Sequence, residues 1–218
     1  MGSGCCGTLD PFFRSFCMIK NIVFDIGNVL TDFRYRGFLA DKGLDEAMID
    51  RIEKCTVDTP YWHEFDRCAI SYDEVIENFV ALDPEIGDLL RSVFSDLKGM
   101  VTGRDYAIPW IDRIKAAGYK VFYLSNFSEK AYNECRDALE FDKHCDGGIY
   151  SYEERLVKPD PAIYKLLLDR YNLTASECVF FDDTEKNVKA AIECGYNSFV
   201  FTDPDKANED LKTLGVNI

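Results

Sequence analysis

Carboxylates, a hydroxyl and a lysine stand where apolar runs of this chain stop, and together they could handle a phosphoryl group beside a divalent cation. Asp25 closes the run Ile22-Val23-Phe24, and the pair Asp182-Asp183 closes Cys178-Val179-Phe180-Phe181. Short β-branched and aromatic runs bounded by turn residues read as buried strands. The carboxyl ends of parallel strands are where open α/β sheets assemble their sites. At such an end the rotamer of Asp25 is fixed, which suits a nucleophile, and Gly27 lets the backbone come close to an ion or phosphate. Adjacent carboxylates such as Asp182 and Asp183 repel one another unless a cation or hydrogen bonds offset them. Mg²⁺ takes carboxylate, carbonyl and water oxygens in an octahedron, and Asp25, the Gly27 carbonyl and Asp183 offer three of them. Glu185 and Asn187, one short turn on, could orient those ligands or waters from behind. With two His in the chain and no Cys/His spacing of the right kind, zinc is not supported.

Two weaker signals fall between these acids. Ser125 and Asn126 end the run YKVFYLS at 119–125, and a hydroxyl and an amide there can receive phosphate oxygens, although Ser-Asn after a strand is also an ordinary helix cap. Lys158 precedes Pro159, which keeps it extended so that its ammonium could reach an anion, with plain surface solvation as the alternative. The order acid, hydroxyl, lysine, acid pair, each just beyond a strand, is what joins them.

The elements that must position these groups follow from periodicity. Residues 20–25 form the first strand. From Arg34 to Gly103 the pattern turns helical, with apolar faces at Phe38 and Leu39, at Ala47, Met48 and Ile52, at Val75, Ile76, Phe79 and Val80, and at Ile86, Leu89, Leu90 and Val93. Helix and strand then alternate. Ile108, Ile111 and Ile114 line a helix stopping at Gly118, and 119–125 is a strand. A helix through Ala131, Cys135, Ala138 and Leu139 and a strand at 148–150 come next. Pro161 opens a helix, a strand ends at Asp182, and Val188, Ala191 and Ile192 line a helix ending at Gly195. A last strand spans 197–201, before an acidic helix ending near Leu214. This order predicts an α/β fold, a doubly wound, mostly parallel Rossmann-like sheet built from 18–33 and 104–218, with a small helical domain inserted at 34–103. Residues 1–17 read as a tag or disordered extension, with Met18 a candidate start, because their apolar stretch is too short for a signal peptide.

With 25 Lys+Arg against 39 Asp+Glu, the net charge of -14 argues against nucleic acid or an anionic membrane as partner. An anionic small substrate is compatible with that field only through local cations or a metal. The nine Cys are odd in number and contain no C-x-x-C pair, so they read as free thiols of a reducing, cytoplasmic setting. The apolar faces are all needed for core and insert, which leaves no obligate protein partner in evidence.

Phe24-Asp25-Ile26-Gly27-Asn28-Val29, then Ser125, Lys158, and Asp182-Asp183 with Asn187, resemble in order the four motifs of the haloacid dehalogenase-like hydrolases. The resemblance runs from Met18 onward, and the insert sits where that family carries its small helical cap. It implies that Asp25 attacks phosphorus to form an aspartyl-phosphate and that Ser125 and Lys158 hold the phosphoryl oxygens, Lys158 also neutralising Asp25. It implies further that Asp183, and Asp182 directly or through water, hold Mg²⁺ with Asp25 and the Gly27 carbonyl. One departure stands out: family phosphatases commonly carry a second aspartate, a general acid and base, where this chain has Gly27. Similar members with Gly there include sugar 1-phosphate phosphatases, whose cap resembles the segment from Tyr61 to Ser71. That makes His63, Glu64, Asp66 and Arg67 candidates for substrate contact or for the missing proton relay, with Trp62 and Phe65 as cap core. The implied function is a Mg²⁺-dependent phosphatase of small phosphorylated metabolites, sugar phosphates first. The alternatives are a weakly active or non-catalytic binding module, a phosphomutase and a 2-haloacid dehalogenase.

Overall fold

In the computed structural model, which describes residues 18–218, the chain opens on β1 (Asn21–Phe24), buried along its whole length. The expectation for residues 1–17 lies outside the described residues. After β2 (Thr31–Phe33) the chain leaves through five helices, α1 (Tyr35–Asp41), α2 (Glu46–Cys55), α3 (Tyr61–Arg67), α4 (Tyr72–Leu82) and α5 (Gly87–Phe94). It returns on β3 (Val101–Gly103), which pairs antiparallel with β2, so both passages into the helical insert run through one two-stranded ribbon. Then follow α6 (Ala107–Ala116), β4 (Lys120–Ser125), α7 (Glu129–Glu134), β5 (Gly147–Tyr150), α8 (Ser151–Glu154) and α9 (Pro161–Tyr171). The chain closes with β6 (Cys178–Asp182), α10 (Glu185–Glu193), β7 (Asn197–Val200) and α11 (Pro204–Thr213).

Five of these strands form one parallel sheet in the order β5-β4-β1-β6-β7. β1 takes the centre because both its faces are apolar: Ile22 and Phe24 join one core cluster and Val23 the other, all without exposure. Alternation along a strand sends them to opposite faces. On the first face pack Trp110 and Ile114 of α6 and Leu211 of α11, with the Trp110 and Phe24 rings 4.6 Å apart. On the second pack Tyr164 and Leu167 of α9 and Ala191 of α10. The chain proceeds from β1 outward to β4 and β5 and then crosses to β6 and β7, so the order reverses between β1 and β6. A crevice opens at the strand ends there.

The insert shares the first core cluster through Phe38, Phe65, Phe79 and Phe94. Phe65 is buried, and Trp62 packs on it at 4.9 Å and edge-on to Tyr35 at 5.5 Å. Several expected boundaries shift. Helix α3 lacks a long apolar stripe, which is why periodicity does not reveal it, and β3 is too short to stand out from its helical surroundings. The single helix expected through Leu139 is α7 followed by a 3₁₀ stretch over Arg136–His144. Ile192 is 53% exposed, because α10 turns Val188 and Ala191 to the sheet instead. The six described cysteines are all free, and no described helix is long and apolar enough to cross a membrane.

Gly148 of β5 lies directly across from Tyr123 of β4. A methyl group at Gly148 would stand 2.3 Å from Cγ and Cδ2 of that ring, close to the ring's fixed root. Gly148→Ala is therefore expected to cost about 1–3 kcal/mol by overpacking, read as a lower urea midpoint at unchanged m-value. An unchanged midpoint would mean that the Tyr123 ring yields freely.

Candidate active site

The register of β1 on β6 pairs Phe24 with Phe181, so the next residues, Asp25 and Asp182, emerge side by side. The amide of Asp25 donates to the Phe181 carbonyl at 2.8 Å, extending the pairing by one step. Between the two carboxylates sits Lys158, 1% exposed, with its Nζ 2.7 Å from Asp25 Oδ1 and 2.6 Å from Asp182 Oδ2. The ring of Phe180 lies 5.4 Å from that ammonium.

Each acid has a distinct setting. Asp182 is saturated: Oδ1 accepts from the Thr184 amide at 2.8 Å, and Asn187 Nδ2 reaches both oxygens at 3.1 Å. Asp25 Oδ1 accepts from the Ile26 amide at 2.7 Å as well as from Lys158, while its Oδ2 has no hydrogen-bond partner among the described residues. Asp183 is partly exposed and accepts from Asn28 Nδ2 at 2.8 Å and the Thr184 hydroxyl at 3.2 Å. Asn28 has φ 57°, a left-handed conformation that Asn tolerates better than most side chains. Oxygens of Asp25, Asp182 and Asp183 lie within 4.8 Å of one another.

The Lys158 loop is aligned by Asn126. Its Nδ2 donates to the Lys158 carbonyl at 3.0 Å, and its Oδ1 accepts from the Lys158 amide at 2.7 Å. That reciprocal clamp orients the Asn126 side chain, which also lines the cavity beside Ser125 and Lys158. Ser125 is 1% exposed on the same cavity, and among the described residues its hydroxyl makes only a long 3.5 Å contact to the Asn126 carbonyl, so it can turn to another acceptor.

The cavity encloses about 310 Å³; Asp25, Gly27, Ser125, Lys158 and Asp183 line it from the sheet side, and His63 and Asp66 from the insert. Of the four candidates on α3, the structure brings these two to the cavity and turns Glu64 and Arg67 away. Residues three apart share a helix face, so 63 and 66 lie together and 64 and 67 together on the next. Glu64 and Arg67 indeed pair with each other, Arg67 Nε to Glu64 Oε2 at 2.9 Å, and Glu64 borders a separate cleft. Glu185 is likewise corrected: it is exposed and bonds Lys189 at 2.9 Å, an i,i+4 pair on the outside of α10. Sequence reasoning missed Asn28, Thr184 and Lys186, all on the cavity. Their signal was adjacency, since each lies within three residues of Asp25 or Asp183.

The sequence profile of the haloacid dehalogenase-like hydrolases matches residues 19–195. The chain belongs to that family. Among curated relatives of this chain, flavin mononucleotide hydrolase 1 of Arabidopsis thaliana is 28% identical over 163 residues, covering 72% of this chain and 63% of the relative. D-ribitol-5-phosphate phosphatase of Bacteroides thetaiotaomicron is 27% identical over 196 residues, covering 84% and 91%. Some other relatives are far longer; the chain spans 15% of acyl-CoA dehydrogenase family member 10 of Mus musculus. A haloacid dehalogenase family enzyme of Bacteroides thetaiotaomicron, solved with magnesium and inorganic phosphate, superimposes at TM-score 0.65 with 20% identity over 85% of this chain and 96% of that one. At that identity the likeness establishes the fold.

Electrostatics in the cavity are dominated by burial. Asp25 is pushed up to about 7, chiefly by burial, with Lys158 opposing and Asp182 and Asp183 adding. Asp66, 8% exposed, is pushed up to about 8 by burial, with Lys158 opposing and Asp25 adding. Burial also acts against the charge of Lys158, but Asp182 and Asp25 outweigh it and raise its pKa. His63 is lowered by burial and then by Lys186 and Arg67, so it favours the neutral ring. Its Nδ1 is buried without a partner among the described residues.

For both raised carboxyls the folded state holds a proton that the unfolded chain has released, so stability falls as pH rises from the ordinary 3.8 through about 7 for Asp25 and about 8 for Asp66. The melting temperature of metal-free protein should fall across that window, and Asp25→Asn and Asp66→Asn should each flatten the slope. Thermal unfolding in EDTA as a function of pH checks this; variants as steep as wild type would contradict it.

Proposed function

We propose that this hydrolase is a Mg²⁺-dependent phosphatase of small phosphorylated metabolites, with Asp25 as nucleophile. The observation that carries the reading is one buried ammonium, Lys158, shared by Asp25 and Asp182, with Asp183 close by: three carboxylates meet one fixed positive charge. The remaining negative charge calls for a cation, and the donors are all oxygen, as Mg²⁺ prefers. Asp25 and Asp183 would hold it, with the Gly27 carbonyl; Asp182, its oxygens already taken, stands behind them. Asn187 Oδ1, buried and without a partner among the described residues, is an acceptor suited to a water. When bound, Mg²⁺ supplies positive charge to the phosphoryl oxygens.

The protein's own groups divide the remaining tasks. Lys158 and the Ser125 hydroxyl hold non-bridging oxygens, and Lys158 also keeps Asp25 in position for in-line attack. A carboxylate oxygen of Asp25 bonds to phosphorus as the ester P–O bond breaks, leaving an aspartyl-phosphate. Water then attacks that phosphorus and frees Asp25 and phosphate. Fixed charges aimed at the transferring group contribute most where charge develops in the transition state.

Sugar phosphates are the first substrates to test, in keeping with Gly27 and with the ribitol phosphate named for a relative. Phe33, Trp62, Phe65 and Phe127 also line the cavity, so phosphates carrying a ring or apolar part belong in the same panel.

Purified protein with Mg²⁺ is expected to release phosphate from at least one member of a panel holding sugar 1-phosphates and 6-phosphates, and EDTA should stop it reversibly. Asp25→Asn should bring release to background with the fold intact by circular dichroism, and Lys158→Ala should lower it by ~10²–10³-fold. Full turnover by folded Asp25→Asn would overturn the reading, and a non-catalytic module would keep ligand binding with no turnover in wild type.

A further inference from the structure

We infer that Asp66, on helix α3 of the insert, is the general acid and base of this site, standing in for the side chain that residue 27 lacks. The assignment rests on the phosphatase reading above and adds to it the residue that serves the leaving group. Three independent observations carry it.

First, Asp66 is more than nine-tenths buried, lines the same cavity as Asp25 and Lys158, and its carboxyl has no hydrogen-bond or ion-pair partner among the described residues. Its oxygens open onto the cavity instead of being enclosed in the core, so a group arriving there can meet them directly. The other acids of the segment are committed: Glu64 to Arg67, and Asp58 and Glu53 lie off the cavity lining.

Second, the backbone of Asp66 is tied to the loop that follows the catalytic serine. The Ser151 hydroxyl donates to the Asp66 carbonyl at 2.7 Å and accepts from the Phe127 amide at 2.8 Å. Asp66 is therefore held in register with Ser125, two residues before Phe127, although it belongs to the insert.

Third, Gly27 leaves room. A Cβ there would meet nothing nearer than the Phe33 Cβ at 3.9 Å, and its backbone is not in the left-handed region, so neither sterics nor conformation demands glycine. The room that a side chain would take at residue 27 is left open on the cavity that Asp66 also lines. Burial also favours the protonated carboxyl, the form an acid needs at the start.

The proton balance closes over two steps. As Asp25 bonds to phosphorus and the ester P–O bond breaks, the departing oxygen takes the Asp66 proton and leaves as an alcohol. Asp66, now a carboxylate, takes a proton from the water that attacks the aspartyl-phosphate; phosphate departs and Asp66 is again neutral. Acid help of this kind is worth most for poor leaving groups.

The test compares wild type, Asp66→Asn and Asp25→Asn, with Mg²⁺, on an alkyl phosphate such as a sugar 6-phosphate and on para-nitrophenyl phosphate, whose phenolate leaves unaided. Asp66→Asn should lose ~10²–10⁴-fold in kcat/KM on the alkyl ester and less than ~10-fold on the aryl ester. Unchanged circular dichroism and unchanged affinity for inorganic phosphate would confirm that the site survives the substitution. Equal losses on both esters, or none on either, would overturn the role of Asp66 while leaving the phosphatase reading intact, provided wild type turns over and Asp25→Asn does not. Wild type inactive on every ester would end both.

Discussion

Everything at this site depends on the Lys158 ammonium held between the carboxylates of Asp25 and Asp182. A lysine with 1% exposure is sustained only by opposite charges in contact, and both carboxylates are within 2.7 Å. Removing one partner from such a buried pair typically costs 3–5 kcal/mol, because the remaining charge stays out of water. The arrangement therefore constrains three segments distant in sequence: the end of β1, the end of β6 and the loop before α9. Asn187 and the Thr184 amide fix Asp182 from behind, and Asn126 fixes the Lys158 backbone.

Topology makes that meeting possible. The strand order reverses between β1 and β6, so their adjacent carboxyl ends are not covered by a crossover between them. The side-chain period of two on each strand makes the one-residue register decisive: slipping β6 by one position would turn Asp182 to the opposite face and leave Lys158 with a single carboxylate. Full burial of Phe24 and Phe181, which pack as stacked rings at 5.8 Å, holds the register from below.

The sheet and its acids were legible in the sequence for the same reason. Strands buried on both faces are continuous apolar runs, so Asp25 and Asp182-Asp183 stand out as the residues that end them. Lys158 was legible only through its order among the motifs, since nothing local marks a lysine as buried. The insert was harder to read: α3 carries an aromatic pair in place of a long stripe, and β3 is three residues long. Which of His63, Glu64, Asp66 and Arg67 would face the cavity depends on the rotation of a helix whose bounds were unknown. Glu185 failed differently, since an i,i+4 lysine on the outer face of α10 claimed it.

Ser151 has a consequence of its own. One oxygen both receives the Phe127 amide and gives its proton to a carbonyl of the insert. The same hydroxyl also lies 3.2 Å from the Phe127 carbonyl, so its one proton has a second acceptor within the serine loop. Ser151 thus ties a carbonyl of the insert to both backbone groups of Phe127, and α3 and the loop after Ser125 share a single hydroxyl.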